Sequence, residues 1–484
     1  MMLELDSLSL PFVRHHLQHL PTISGLVEAD GVVETQSTAG IASASVWPTF
    51  STGRLPGEHG HYFPFQWHAG RMSFYRTQSA AWDGALDYEP FWYELARAGV
   101  DCIVLDAVQA VPHPDPPCLE INDWSAQSHG GAQASSRELL RDLRRRFGRR
   151  PIGMEITVMK SRAQAVRQQQ ALLSSLRRKA DAVIWLGQQR PWRFYLASVQ
   201  DVHRAGHNLW PIQSDFASEV PQDALLTVYR ALDHEISRIV EAFDDGQTDF
   251  ILFTLNGMGP NRAQNHLLPQ LLHRLNRLYV TGQREAGVSN QRRGTIARLR
   301  DHVPARLQYE ANRMLGEQIQ DWVVNREYTA GLEWSATPSF CVPTGGEGLI
   351  RLNLVGREKR GMLRADGAAL RDYVAWLRDR MLAVKVSDTG EPLVRKFIVL
   401  SEEFPGNRSG LLPDIALDWA PSQPVTEVIS DDTGTVRNRL KTGRGGNHTG
   451  GSFALFRGSF GGRPPPREIH HITDYRDYVR RLLL

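Results

Sequence analysis

The residues in this sequence most able to do chemistry are one threonine and three histidines. Thr49 stands in Trp47-Pro48-Thr49-Phe50-Ser51-Thr52-Gly53, which leads into Leu55-Pro56-Gly57-Glu58-His59-Gly60. A hydroxyl at the start of a short helix meets backbone N–H groups and the positive end of the helix dipole. A threonine alkoxide is a poor species at neutral pH and needs a metal to lower its pKa. The same string also reads as an ordinary helix start, with proline in the first turn and glycine after it. His203 and His207 lie in Asp201-Val202-His203-Arg204-Ala205-Gly206-His207-Asn208-Leu209-Trp210. Histidines four apart can face one way on a helical turn and hold one ion through imidazole nitrogens. That spacing alone is weak, because His15 and His19 repeat it in what reads as a surface helix. His448 lies in Arg444-Gly445-Gly446-Asn447-His448-Thr449-Gly450-Gly451. Flanking glycines let backbone approach closely, although the string reads equally as an exposed glycine loop.

Taken together and in order, these segments resemble the type I phosphodiesterase/nucleotide pyrophosphatase family of the alkaline phosphatase superfamily. The pattern T-x-x-T-G followed by P-x-x-H-G is similar to the family's nucleophile segment. The resemblance implies that Thr49 attacks phosphorus and that His59 is a structural match to the HG step. Leu3-Glu4-Leu5-Asp6-Ser7 resembles the family's first strand, whose terminal Asp binds metal, which implies Asp6 as a ligand. Unaided, a strand-ending Asp is more often a helix cap. His207 matches a G-H step before an aromatic residue, and the residue four before it, often Asp in the wider family, is here His203. That exchange keeps a ligand but makes it neutral. His448 matches the late G-x-H motif, which supplies the last ligand of the ion held by His207. The His470-His471 pair has no such context and reads as a surface or packing feature. Asp123-Trp124, the segment 350–361 and Leu412-Pro413-Asp414 are also family-like, and coverage is weakest over 282–330. Several weak motifs in the right order are jointly much rarer than any one of them.

One segment departs from the pattern. Where the family has a strand ending in Ser-Asp-His-Gly-Met-Gly, whose Asp and His complete a second metal site, this chain has Thr254-Leu255-Asn256-Gly257-Met258-Gly259. Leucine cannot coordinate metal, and an Asn amide oxygen is a weak neutral ligand. The resemblance therefore implies a divalent transition metal, zinc by family, on His203, His207 and His448. One site is expected, with the second damaged and Asn256 at most a weak ligand there.

These residues need a scaffold, and short apolar runs alternating with amphipathic stretches supply one. Candidate strands are 2–5, 101–105, 153–158, 182–186, 194–199, 250–255, 396–400 and 415–419. Helical patterns cover 90–98, 161–180, 224–243 and 267–279. Such alternation predicts a largely parallel sheet with helices on both faces. With the resemblance, the expected fold is an α/β, alkaline-phosphatase-like three-layer core carrying a smaller inserted cap unit. The expected divisions are a core over 1–281, a helical and loop insertion over 282–344, a small α/β unit over 345–425 capping the carboxyl edge of the sheet, and a return to the core over 426–484. Within that return, 426–462 reads as loops rich in Gly, Asp and Thr. Ligands of such sheets bind beyond the carboxyl ends of the strands, which singles out Asp6, Asp201, His203 and Asn256.

Composition sets the outer bounds. A chain of 484 residues with 41% apolar and 23% charged residues is globular and needs neither disulfides nor metal to fold. Lys and Arg exceed Asp and Glu by three (56 against 53), so overall charge gives no reason to expect a nucleic acid partner. The basic run at 137–150 has leucines at helical spacing and reads as a solvated amphipathic helix. Three cysteines without CxxC spacing fit a reducing compartment. The N-terminus shows no secretory pattern, and no window is apolar enough to span a membrane. The expected location is the cytoplasm and the expected partner a small-molecule substrate, while oligomeric state is not legible. The leading functional expectation is a metal-dependent phosphate-ester hydrolase, on a diester or pyrophosphate, with Thr49 as nucleophile. Its rivals are a single-metal enzyme of altered, even non-hydrolytic, chemistry and a non-catalytic binding relative. Retention of Thr49 with all three histidines counts against the last.

Overall fold

A computed structural model describes residues 1–77, 89–110, 112–113, 115, 118–125, 132–149, 162–210, 223–284, 317–440, 444–462 and 468–484. Its chain forms two units: Met1–Leu55, Gln78–Pro260 and Gly443–Leu484 make one, and Pro56–Thr77 with Asn261–Thr442 make the other.

The first unit is built on an eight-stranded sheet. Its order is Val33–Gln36, Gly451–Arg457, Phe250–Phe253, Met2–Leu5, Phe194–Val199, Cys102–Leu105, Leu119–Asn122 and Gln133–Ala134. The five central strands run parallel, and antiparallel strands close the two sides. Side chains alternate between two apolar clusters: Leu3, Leu5, Tyr195, Ala197, Phe250 and Leu252 enter one, and Met2, Phe194, Leu196, Ile251 and Phe253 enter the other. Burial on both faces is what a parallel sheet with helices on each side requires. The first cluster takes its helical side from Arg162–Gly187 and Ala224–Phe243, the second from Val46–Thr52, Phe91–Arg97 and Asp474–Leu483.

Expected strands 2–5, 194–199 and 415–419 are found as read, and 101–105, 250–255 and 396–400 with shifted ends. The candidate strand 153–158 lies outside the described residues. The run 182–186 is not a strand but the last turn and a half of the helix Arg162–Gly187. Ala165, Leu172, Leu176, Lys179, Val183 and Leu186 form its buried stripe at spacings of three, four and seven. A five-residue apolar run cannot be told from such a stripe by periodicity alone. The run at 137–150 does form a solvated helix, Arg137–Phe147, with Leu143 its one buried residue and Arg141 and Arg145 highly exposed. The region 426–462 is richer in strands than expected: a hairpin, Glu427–Ser430 with Gly434–Arg437, then Gly446–Thr449 and Gly451–Arg457.

The second unit contains a four-stranded antiparallel sheet, Ser339–Cys341, Gly348–Leu352, Ile415–Trp419 and Val394–Val399, with the helix Gly367–Leu382. Residues 345–425 belong to it, as do His59 and the rest of 56–77. No helix among the described residues is long and apolar enough to cross a membrane.

Candidate metal centre

Three adjacent strands of the large sheet end at one place. Met2–Leu5 runs into Asp6 and Ser7, Phe194–Val199 into the helix Asp201–Leu209, and Phe250–Phe253 into Asn256. Ser7 holds a left-handed backbone, φ 60°, and so do Asp106 and Asp123 beyond the neighbouring strands. Such a conformation is uncommon without glycine and persists where surroundings impose it, often at functional sites.

The helix Asp201–Leu209 presents His203 and His207 on one face, their ring centroids 4.7 Å apart. Its other residues fix its rotation. Val202, Ala205 and Leu209 enter the apolar core, and Arg204, also buried, donates to the Ser125 carbonyl at 2.7 Å. Ser125 is itself held by Asp106, whose carboxylate accepts from its N–H and hydroxyl and pairs with buried Lys179. Asp201 turns toward this interior group: burial raises its pKa, against the charges of Arg204 and Lys179.

His448 arrives from far along the chain. Gly446–Thr449 pairs antiparallel with Gly257–Pro260, setting His448 opposite Met258. Glycines permit the approach, since a Cβ on Gly446 would lie 2.3 Å from the Gly206 carbonyl oxygen. The His448 ring then stands 4.7 Å from His203 and 4.8 Å from His207 between centroids. One nitrogen from each of the three rings lies within 4.8 Å of the others, the one such grouping among the described residues.

Every one of these rings has an outer partner at Nδ1. His207 donates from Nδ1 to the Gly446 carbonyl at 2.8 Å, so its lone pair is on Nε2. That Nε2 is buried and has no hydrogen-bond partner. His203 Nδ1 lies 3.0 Å from Asp6 Oδ2, and His448 Nδ1 lies 2.6 Å from the Asn256 amide nitrogen. Burial, then the nearby positive charge of Arg444 and the other two rings, holds the His207 pKa well below its ordinary value. Burial and His203 do the same for His448, against the pull of Asp6. Neutral imidazoles with free lone pairs are what a cation needs and what a proton would block. Burial pushes the Asp6 carboxyl up, but the charge and hydrogen bond of His203, with His448 and Ser7, outweigh it and hold the pKa below the usual range.

An orphaned, buried imidazole nitrogen within three converging histidines fits a divalent ion, as three-ligand sites do. Residues 1–336 match the family described as type I phosphodiesterase / nucleotide pyrophosphatase. The chain belongs to this family. Phosphonoacetate hydrolase from Sinorhizobium meliloti 1021 has a similar fold: its complex with phosphonoacetate gives a TM-score of 0.53 at 11% identity, and that with phosphonoformate 0.51 at 12%. In both, all of this chain is covered and 95% of the other. Murine ectonucleotide pyrophosphatase/phosphodiesterase 5 aligns at a TM-score of 0.48 and 11% identity, over all of this chain and 94% of the other. No curated protein matches the sequence.

Against this phosphodiesterase-family background the site residues divide. Asp6, His203, His207, His448 and Asn256 come together, although His448 lies beyond the matched span. Asp6 stands beside the histidine set, bonded to His203, rather than within it. Thr49 is fully buried in the first turn of the helix Val46–Thr52, which Trp47 and Phe50 anchor in the second apolar cluster. Leu255 is fully buried in that same cluster, continuing the alternation of Ile251 and Phe253. His15, His19 and His470 are exposed, as expected. Sequence reasoning missed Ser7, whose hydroxyl lies 2.9 Å from Asp6 Oδ1 and 3.3 Å from Nδ1 of both His203 and His448. Its place directly after a strand-ending Asp was the available signal.

Proposed function

We propose that this chain is a metal-dependent hydrolase of phosphate esters, acting on a small-molecule diester or pyrophosphate, with one divalent ion on His203, His207 and His448. The convergence of one nitrogen from each of His203, His207 and His448 within 4.8 Å, with the buried Nε2 of His207 left without a partner, carries the reading. Zinc suits the donors and the family, while imidazole also accepts iron, manganese or cobalt. When bound, such an ion polarises a substrate oxygen as a Lewis acid. The chain's own residues do the rest. Thr49, matched to the family's nucleophile, presents its hydroxyl to phosphorus from the first turn of its helix. Asp6 accepts the Nδ1 proton of His203 and so orients that ring.

A second reading has a specific observation in its favour. Leu255 sits in the apolar cluster and Asn256 bonds within the site, so a second ion lacks the Asp-His pair of the family. On this reading the enzyme works with a single ion, and its turnover of simple phosphate esters is slow. We place it in a reducing compartment, since Cys102, Cys118 and Cys341 are unpaired. Metal analysis of chelator-free protein, with a panel of phosphodiester, pyrophosphate, monoester and sulfate substrates, tests the proposal. One ion per chain, with phosphodiester or pyrophosphate turnover lost in both Thr49→Ala and His207→Ala, is the expected result. No bound transition metal, or turnover indifferent to Thr49, would overturn it.

A further inference from the structure

Asp6 is a buried carboxylate with two acceptor oxygens, and both are used. Oδ1 accepts from the Ser7 hydroxyl at 2.9 Å, and Oδ2 faces His203 Nδ1 at 3.0 Å. Ser7 has spent its one hydrogen there, so its oxygen is an acceptor for the Asn256 amide N–H at 2.9 Å. The second hydrogen of that amide points to His448 Nδ1 at 2.6 Å. Asn256 is almost wholly buried, so these bonds are made away from water. The chain of donors runs from Asn256 to Ser7 to Asp6, a carboxylate that the resemblance implies as a ligand, beside the missing Asp-His pair, of a second ion near Thr49.

We propose that Ser7 and Asn256 stand in for that second cation, as positioning residues that hold Asp6 through a chain of O–H and N–H donors and close the place to metal. The inference rests on the single-ion reading above. Charge-assisted hydrogen bonds are the recognised way for a buried carboxylate to remain ionised without a counter-ion. Leu255, packed in the apolar cluster, removes the remaining ligand direction. A consequence follows for His448. Its Nδ1 accepts in this arrangement, so its proton is on Nε2, and offering Nε2 to an ion requires the Asn256 amide to turn end for end. Asn256 therefore also governs how readily His448 joins the other two ligands.

Two substitutions of nearly unchanged shape separate these roles. Asn256→Asp removes both donors and places a second carboxylate near Asp6, an arrangement that a cation reconciles. Asn256→Leu removes the donors and adds no charge. Each variant, first shown to melt cooperatively, is titrated with zinc alone against a competing chelator. Wild type is expected to bind one equivalent, Asn256→Asp two, and Asn256→Leu one. Tight binding of two ions by wild type, or one ion in Asn256→Asp, would overturn the inference. Binding of no ion by wild type would instead remove the metal reading on which it rests.

Discussion

The Nδ1–H of His207 donates to the carbonyl of Gly446, 239 residues later in the chain, at 2.8 Å. That one bond fixes the tautomer of His207 and at the same time sets the height of the strand that carries His448. The Gly445 N–H returns a bond to the His207 carbonyl at 2.7 Å, so helix end and strand are clasped twice. Two ligands remote in sequence are thus placed by one backbone contact.

Gly446→Ala tests this clasp. Its Cβ would lie 2.3 Å from the Gly206 carbonyl, a backbone atom that cannot swing aside. The strand must lift from the helix, at a cost of about 1–3 kcal/mol by analogy with other overpacked sites. Zinc affinity should fall together with the urea midpoint. A variant that loses stability but keeps wild-type zinc affinity would show that the clasp does not set the site.

Acid should destabilise the metal-free protein earlier than carboxylates alone would bring about. His59, His61, His207 and His448 all have pKa values lowered by burial, His61 to about 4. The unfolded chain binds protons at these positions near the ordinary 6.5, and the folded chain does so only at lower pH. Stability is therefore full above about pH 6.5 and declines as pH falls toward the folded values, with a slope of up to ~1.4 kcal/mol per pH unit for each histidine. Urea midpoints of metal-free protein should be level from pH 7 to 8 and drop between pH 6.5 and 4. A level midpoint down to pH 5 would contradict the burial of these rings.

Much of the site could be read from residue order, and the omissions have physical causes. Asp6, His203, His207 and His448 were legible because each matches a family motif and the motifs come in the family's order, although the local chemistry of each was ambiguous alone. Ser7 was not, because a hydroxyl gains a role only from what the fold brings within 3.3 Å, and three of its neighbours lie 196 to 441 residues away. The helix ending at Gly187 was misread at 182–186 because its last turns carry too few polar residues to break an apolar run. The strands in 426–462 were hidden by their glycines, which depress strand propensity, yet Gly446 and Gly451 are where neighbouring backbone comes closest or a strand begins.

Rebuilding the family's second ion site is the most demanding test, and the surroundings of Leu255 decide how it should behave. The double substitution Leu255→Asp with Asn256→His supplies the missing ligand pair on paper. Yet Leu255 is fully buried among apolar side chains, on the same sheet face as Ile251 and Phe253. Leu255→Asp alone should therefore cost about 3–5 kcal/mol, as an uncompensated buried charge does, and lower the urea midpoint sharply. With Asn256→His beside it and zinc in excess, the aspartate gains a counter-ion, and binding to the folded state returns stability by mass action. The double variant should thus be weaker than wild type without metal and recover much of the loss with zinc. Its stoichiometry should rise toward two, and its phosphodiesterase turnover should exceed that of wild type. Calorimetric titration with zinc, melting curves with and without the ion, and turnover of a chromogenic phosphodiester read the three effects separately. If zinc restores neither stability nor a second equivalent, the apolar packing of Leu255 points position 255 away from any ion, and the second site has been lost in shape as well as in ligands.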